Sequence, residues 1–290
     1  MTPVLHLQRM VFFVAAFACL ALELSNFRIP SSLLVATLAI LVVFLGLPHG
    51  SLDPLVAWKA GMWRDVRGLF VFLALYLVLA GASIVLWISF PLVALILFLG
   101  YSAWHFAGDW RASLPLVPRL AAGLVIVSGP ALFHAELVAS YFTILTQNAA
   151  GSMAFVRVLS LVSIPAAVLV FGTALRLVQR NPAFAGELAV LVTCALLLPP
   201  LVFFILYFCG LHSPRHLMET VKGLNKTAVI SVGVGVTFLT VVGGWGVLVM
   251  LPSASLDERL LQIIFIGLAA LTVPHMLLIE QAARPGEEKT

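Results

Sequence analysis

Two histidines four residues apart, His212 and His216, stand in the segment Tyr207-Phe208-Cys209-Gly210-Leu211-His212-Ser213-Pro214-Arg215-His216. On a helix this spacing puts both imidazoles on one face, one turn apart, which is the arrangement that chelates a single metal ion. Phe204 and Phe208 continue the same spacing, so an aromatic strip leads to the pair, and Pro214 between the histidines is expected to kink the helix. Two further segments each supply a histidine with an acid four residues later. One is Gly46-Leu47-Pro48-His49-Gly50-Ser51-Leu52-Asp53, and the other is Tyr101-Ser102-Ala103-Trp104-His105-Phe106-Ala107-Gly108-Asp109-Trp110. A carboxylate so placed can accept the second ring N–H of a ligating imidazole, fixing its tautomer and raising its basicity. Asp53 and Asp109 are therefore expected behind His49 and His105. Imidazole suits Fe, Zn, Cu or Ni, and the residue types alone select none of them.

The chain has seven histidines, and all but His6 lie in or at the end of an apolar run. An ionisable group in such a place normally faces a cavity or a partner, although a lone histidine at a helix end is also commonly an interfacial hydrogen-bonded group. His275, directly after Pro274 in the last run, is expected to donate a hydrogen bond behind the ligands or to touch substrate, with a direct bond to the metal as the remaining alternative. His134 has no assigned role, and His6 is expected to be incidental. Arg215 is expected on the opposite helix face, with Asp53, Asp109 and Glu219 as candidate partners among which the sequence selects none. Cys19, Cys194 and Cys209 are isolated and form no CxxC pair, so neither a disulfide framework nor a thiolate metal site is expected.

The elements that position these residues follow from composition. Of 290 residues 62% are hydrophobic and 10% charged, too little charge to cover a soluble domain, which carries about 25%. Lipid can cover such an exterior, so most of the chain is expected in a bilayer. Sixteen Lys and Arg against twelve Asp and Glu leave a formal charge of +4. These residues sit between the apolar runs and read as anchors at the membrane surface, with no nucleic-acid patch.

Runs long enough to span a membrane cover roughly Met10–Leu24, Ile29–Leu47, Gly68–Phe90, Pro91–Ala107, Leu116–Phe133, Ser152–Val178, Leu188–Leu211, Thr227–Leu251 and Leu260–Ile279. They are continuous rather than alternating, which disfavours a membrane barrel. The expected fold is all-α, a polytopic membrane bundle of eight or nine transmembrane helices. It forms one domain over residues 1–281, with a short disordered tail at 282–290 and the first helix retained rather than cleaved as a signal peptide. If every run crossed, His212 would emerge opposite His49 and His105. We therefore expect a buried site, with His212 and His216 inside a helix from about Leu201 to Val221 that starts after Pro199-Pro200. Seven histidines are too few for a di-iron histidine-box enzyme, and a pair one turn apart does not suit bis-histidine haem.

At these residues the sequence resembles the Brp/Blh family of integral-membrane β-carotene 15,15′-dioxygenases. The resemblance rests on Leu47-Pro48-His49-Gly50-Ser51-Leu52-Asp53, Ser102-Ala103-Trp104-His105-Phe106, Tyr207-Phe208 with His212-Ser213-Pro214-Arg215-His216-Leu217, and Pro274-His275-Met276-Leu277. Gly129-Pro130 with Phe133-His134 is a weaker match. The chain departs from the family pattern at Pro54, at Ala107-Gly108-Asp109 and at Pro214. The resemblance implies an Fe(II) enzyme that uses O₂ to split the central double bond of β-carotene, or a related carotenoid, into retinal. The family's iron ligands fall on His49, His105, His212 and His216, with His275, Asp53 and Asp109 behind them. Tyr101, Trp104, Phe106, Phe204, Tyr207 and Phe208 become candidates to line a carotenoid tunnel, beside the plainer reading of each as packing or an interfacial aromatic. The implied setting is the cell (inner) membrane of a bacterium or archaeon, with a functional link to a retinal-binding rhodopsin. The alternative is a non-catalytic membrane factor for retinal delivery or opsin assembly.

Overall fold

A segment in lipid must satisfy its backbone N–H and C=O groups internally. The computed structural model, which describes residues 3–250 and 255–283, accordingly contains helices and no strand among those residues. We number the helices α1 (Pro3–Leu24), α2 (Ser31–Lys59), α3 (Val66–Ser89), α4 (Pro91–Trp110) and α5 (Leu116–Ser128). They continue as α6 (Ala135–Thr146), α7 (Ala149–Leu177), α8 (Pro182–Leu197), α9 (Pro200–Thr220), α10 (Lys226–Met250) and α11 (Leu256–Ala283). Eight of these, α1 to α4, α7 and α9 to α11, are long and apolar enough to cross a membrane. The chain is thus an integral membrane helical bundle. The expected disordered tail falls, from residue 284 on, outside the described residues.

Two expected spans are corrected. The run Leu116–Phe133 does not make one span: α5 ends at Ser128, Pro130–Phe133 forms a single turn, and α6 follows from Ala135. The run Leu188–Leu211 is divided by Pro199-Pro200, where Leu198 and Pro199 adopt extended ψ of 146° and 145°. A residue before proline is disfavoured in helical conformation, and a proline nitrogen cannot continue the hydrogen-bond ladder. The second half of that run becomes α9, close to the Leu201 to Val221 expected for a buried ligand helix. Short polar caps start other helices. Asp65 accepts from the Gly68 amide at 2.7 Å at the head of α3, and Asn148 accepts from Gly151 at 2.9 Å at the head of α7.

α9 is the most enclosed of the long helices, with half of its apolar stretch buried, whereas none of the corresponding stretch of α10 is. α1 packs on α8 and α9 through the buried Phe12 and Ala16, and α11 packs on α2, α3 and α6. α4 and α5 approach so closely at Gly123 that a Cβ there would lie 2.0 Å from the Ala103 carbonyl oxygen and 3.0 Å from the Ala107 nitrogen. Both are backbone atoms that cannot swing aside, and they bracket His105. Gly123→Ala is therefore expected to push α4 from α5 and destabilise the protein by about 1–3 kcal/mol or more. A thermal midpoint in detergent equal to that of the unsubstituted protein would contradict this close packing.

Candidate metal centre

Four helices meet at one interior point: α2 carries His49, α4 carries His105, α9 carries His212 and His216, and α11 carries His275. The Pro48-His49 and Pro214-His216 motifs each adjoin a wider π turn, Val42–Gly46 in α2 and Ile205–His212 in α9. A proline ring crowds the carbonyl four residues back and leaves it without a donor. The extra residue of a π turn relieves that crowding. For Pro214 the carbonyl belongs to Gly210, and Gln8 Nε2 donates to it at 3.0 Å. α9 therefore continues through Pro214 to Thr220. Pro54 likewise falls in the first turn of the helical segment Asp53–Lys59, where a fixed φ is tolerated.

His105, His212 and His216 each offer a ring nitrogen, and these atoms lie within 4.8 Å of one another. His105 Nε2 and His212 Nε2 are 3.2 Å apart, close to the roughly 3 Å between two nitrogens that hold one ion at about 2.1 Å. The His212 and His216 rings, one turn apart, have centroids 4.5 Å apart. The His49 ring stands edge-on to His212 with centroids 5.5 Å apart, and lies 6.0 Å from His216. Its Nδ1 contacts the Gly46 carbonyl. A carbonyl can only accept, so the proton sits on Nδ1 and the lone pair on Nε2. His49 and His275 stand beside this three-histidine group rather than within it, His275 with ring centroids 5.4 Å from His49 and 5.6 Å from His105. His212 is fully buried, and His49 and His275 are buried.

Two buried carboxylates stand behind these rings, but not behind the histidines nearest in sequence. Asp109 lies 3.0 and 3.1 Å from His212 Nδ1 and 3.4 Å from His216 Nε2, rather than holding His105. Asp53 lies 2.8 and 3.0 Å from His275 Nδ1 rather than holding His49. The expected four-residue pairings fail because helical geometry ends between the partners. A turn at Ser51-Leu52 separates His49 from Asp53, and α4 tightens into a 3₁₀ turn over Gly108–Trp110 after His105. Each carboxylate also accepts a tyrosine hydroxyl: Tyr207 donates to Asp109 and Tyr76 to Asp53, both at 2.7 Å. The result is two matching relays, Tyr207–Asp109–His212 and Tyr76–Asp53–His275. Tyr76 belongs to none of the sequence motifs, although a hydroxyl in the middle of an apolar run is the kind of signal that marks such a role.

The aromatic strip forms as its spacing predicts. Phe204 and Phe208 stack at 5.0 Å and 12°, and Phe208 stacks on His212 at 5.7 Å and 21°. A cavity of about 120 Å³ adjoins the centre and is lined by Phe106, Phe204 and Tyr207 among other apolar side chains. On α4 the lining residues Leu95, Phe98, Leu99, Ser102 and Phe106 follow helical periodicity along one face. Tyr101 and Trp104 fall off that face and do not line the cavity; Trp104 instead donates to Glu280 at 2.7 Å. Phe208 packs between Phe204, His49 and His212. A second space, an open groove of about 550 Å³ between α3 and α11, is bordered by Tyr76 and Pro274.

Arg215 pairs with none of its three candidate acids. Its guanidinium donates twice to Glu187, at 2.9 and 2.7 Å, and Arg9 Nε donates to the same carboxylate at 2.9 Å. Glu187, fully buried on α8, is the strongest signal that the motifs leave out, an acid directly before an apolar run. His134 lies apart from the centre, where its Nε2 donates to the Leu197 carbonyl at 3.0 Å at the end of α8. His6 is exposed, and the three cysteines are free thiols.

These residues fit a bound metal ion. Imidazoles from several helices converge, hydrogen bonds set the tautomers of His49, His212 and His275 with Nε2 free to ligate, and carboxylates brace two of the rings. The family model described as "Beta-carotene 15,15′-dioxygenase" matches residues 40–282. A curated protein named Beta-carotene 15,15′-dioxygenase, from the uncultured marine bacterium 66A03, is 35% identical over 257 residues, covering 84% of this chain and 92% of that protein. No solved structure matches the chain.

Proposed function

Because the chain belongs to the β-carotene 15,15′-dioxygenase family, we propose that it cleaves the central double bond of β-carotene or a related carotenoid with O₂ to give retinal, at Fe(II) held by His49, His105, His212 and His216. The observation that carries this reading is the convergence of imidazoles from four helices in the bundle interior, beside an apolar cavity. Iron would supply the redox chemistry that lets O₂ react with a closed-shell polyene. In the overall reaction the C=C bond is lost and two C=O bonds form. Both oxygen atoms enter the aldehydes, so no external reductant is required.

The chain's own residues do the rest. Asp109 and the Gly46 carbonyl hold the Nδ1 protons of His212 and His49, which leaves each Nε2 lone pair available to the metal. Phe106, Phe204 and Tyr207 present a hydrocarbon wall beside the imidazoles and keep bulk water away. The cavity is smaller than the roughly 300–1,000 Å³ that encloses a drug-sized ligand, so a carotenoid would lie inside it only over a short stretch of polyene. A polyene cut at its middle needs room on both flanks, and the α3–α11 groove beside Tyr76, whose apolar side chains are joined by Asp65, Arg67 and Gln281, offers a second space. Substrate would enter both from the bilayer in which it dissolves.

Expression in cells that accumulate β-carotene tests the reading. The expected result is loss of carotenoid, appearance of retinal, and stoichiometric iron in the purified protein. Unchanged carotenoid without retinal would overturn the substrate. Purified protein that binds retinoid yet carries no metal would overturn the enzymatic reading in favour of retinal delivery.

A further inference from the structure

We propose that His275 is a fifth imidazole ligand of the metal, a step that rests on the metal centre proposed above. The two nitrogens of its ring are unequally partnered. Nδ1 lies 2.8 Å from Asp53 Oδ1, and Asp53 is itself held by the Tyr76 hydroxyl at 2.7 Å. A carboxylate only accepts, so the Nδ1 proton is committed and Nε2 carries an exposed lone pair. That Nε2 is buried and has no hydrogen-bond partner among the described residues. A buried polar atom left unsatisfied keeps its desolvation penalty, and a structural histidine of the core would normally satisfy both nitrogens. Contact with a hydrocarbon substrate does not resolve the deficit, because a polyene has no proton to donate to Nε2. A metal ion does.

The position of the ring supports the same conclusion. Its centroid is 5.4 Å from His49, 5.6 Å from His105 and 6.4 Å from His216, which places it against three of the four other imidazoles. The Tyr76–Asp53–His275 relay repeats, from the α3 and α11 side, the relay by which Tyr207 and Asp109 orient His212. His275 also shares the His49 pattern: Nδ1 is committed to an oxygen acceptor and Nε2 carries the lone pair. Five imidazoles would leave a six-coordinate ion a single open position, where four would leave two. Asp53 then acts as a positioning residue for a ligand rather than as a support for its sequence neighbour His49.

X-ray absorption of the iron-loaded protein, supported by the visible spectrum of the Co(II)-substituted form, tests the assignment. The unsubstituted protein is expected to show five imidazole scatterers. His275→Ala is expected to retain iron with one imidazole fewer, a shifted Co(II) spectrum and an iron dissociation constant raised at least ~10-fold, with added free imidazole restoring the spectrum. Should that variant fail to fold, the imidazole count of the unsubstituted protein still decides. Four imidazoles there, or a His275→Ala protein with the same coordination and spectrum, would overturn the inference while leaving the four-histidine centre standing. Absence of any bound metal in the unsubstituted protein would instead overturn the reading on which it rests.

Discussion

His212→Ala is expected to strip iron from the protein and to lower retinal formation by more than about 100-fold, with the polypeptide still folded in the membrane. Loss of a residue behind a ligand typically lowers metal affinity or activity 10- to 100-fold, and removing the ligand itself should exceed that. His212 is the point where three features converge. It is fully buried, its Nε2 is 3.2 Å from His105 Nε2, and its Nδ1 is held by Asp109. Asp109→Asn should have the smaller effect, about 10- to 100-fold, because an amide still offers an oxygen to His212 Nδ1 but without the charge. Iron per chain and retinal, measured on the same preparations, check both. Full iron occupancy in His212→Ala would show the ligand set to be wrong.

Glu187→Gln is expected to destabilise the bundle by about 3–5 kcal/mol, the usual penalty for breaking a buried ion pair and leaving charge uncompensated. Glu187 takes Arg9 at 2.9 Å and both terminal nitrogens of Arg215 at 2.9 and 2.7 Å, and Trp110 Nε1 adds a donor at 3.3 Å. The neutral amide retains the side chain's volume but takes from the Arg215 guanidinium the carboxylate that it grips twice. Since Arg215 lies between His212 and His216, this cluster also fixes α9 against α1 and α8. The thermal midpoint in detergent should fall together with metal retention. The double variant Glu187→Gln, Arg215→Gln should lose less than the sum of the two single variants, because it removes a stranded charge along with its partner. Additive losses would mean that the cluster contributes no coupling.

Residue types and local spacing suffice for a good part of this architecture. Long continuous apolar runs with little charge require helices in lipid, since only a helix satisfies the backbone within a single segment there. The four-residue spacing of Phe204, Phe208, His212 and His216 correctly predicts one continuous face, because residues so spaced share a side of a helix whatever surrounds it. Pro199-Pro200 marks the start of the ligand helix for an equally local reason, as proline cannot donate to a preceding turn.

Pairing between segments is a different matter. His49 with Asp53, and His105 with Asp109, look like local partners. The helix is interrupted or tightened between each two, and the carboxylates turn to His275 and His212, 222 and 103 residues distant. Arg215 similarly reaches past its neighbours to Glu187, and Tyr101 and Trp104 share a helix with His105 without sharing the face that lines the cavity. Periodicity fixes which side chains lie together on one helix, so the sequence by itself determined a membrane helical bundle with His212 and His216 on one face of a helix. Which helix each face meets depends on packing, on close approaches such as Gly123, and on π turns that rotate the helical segment beyond them. Only the tertiary structure therefore decided which carboxylate orients which imidazole, and brought His275 to the centre with its Nε2 unpaired.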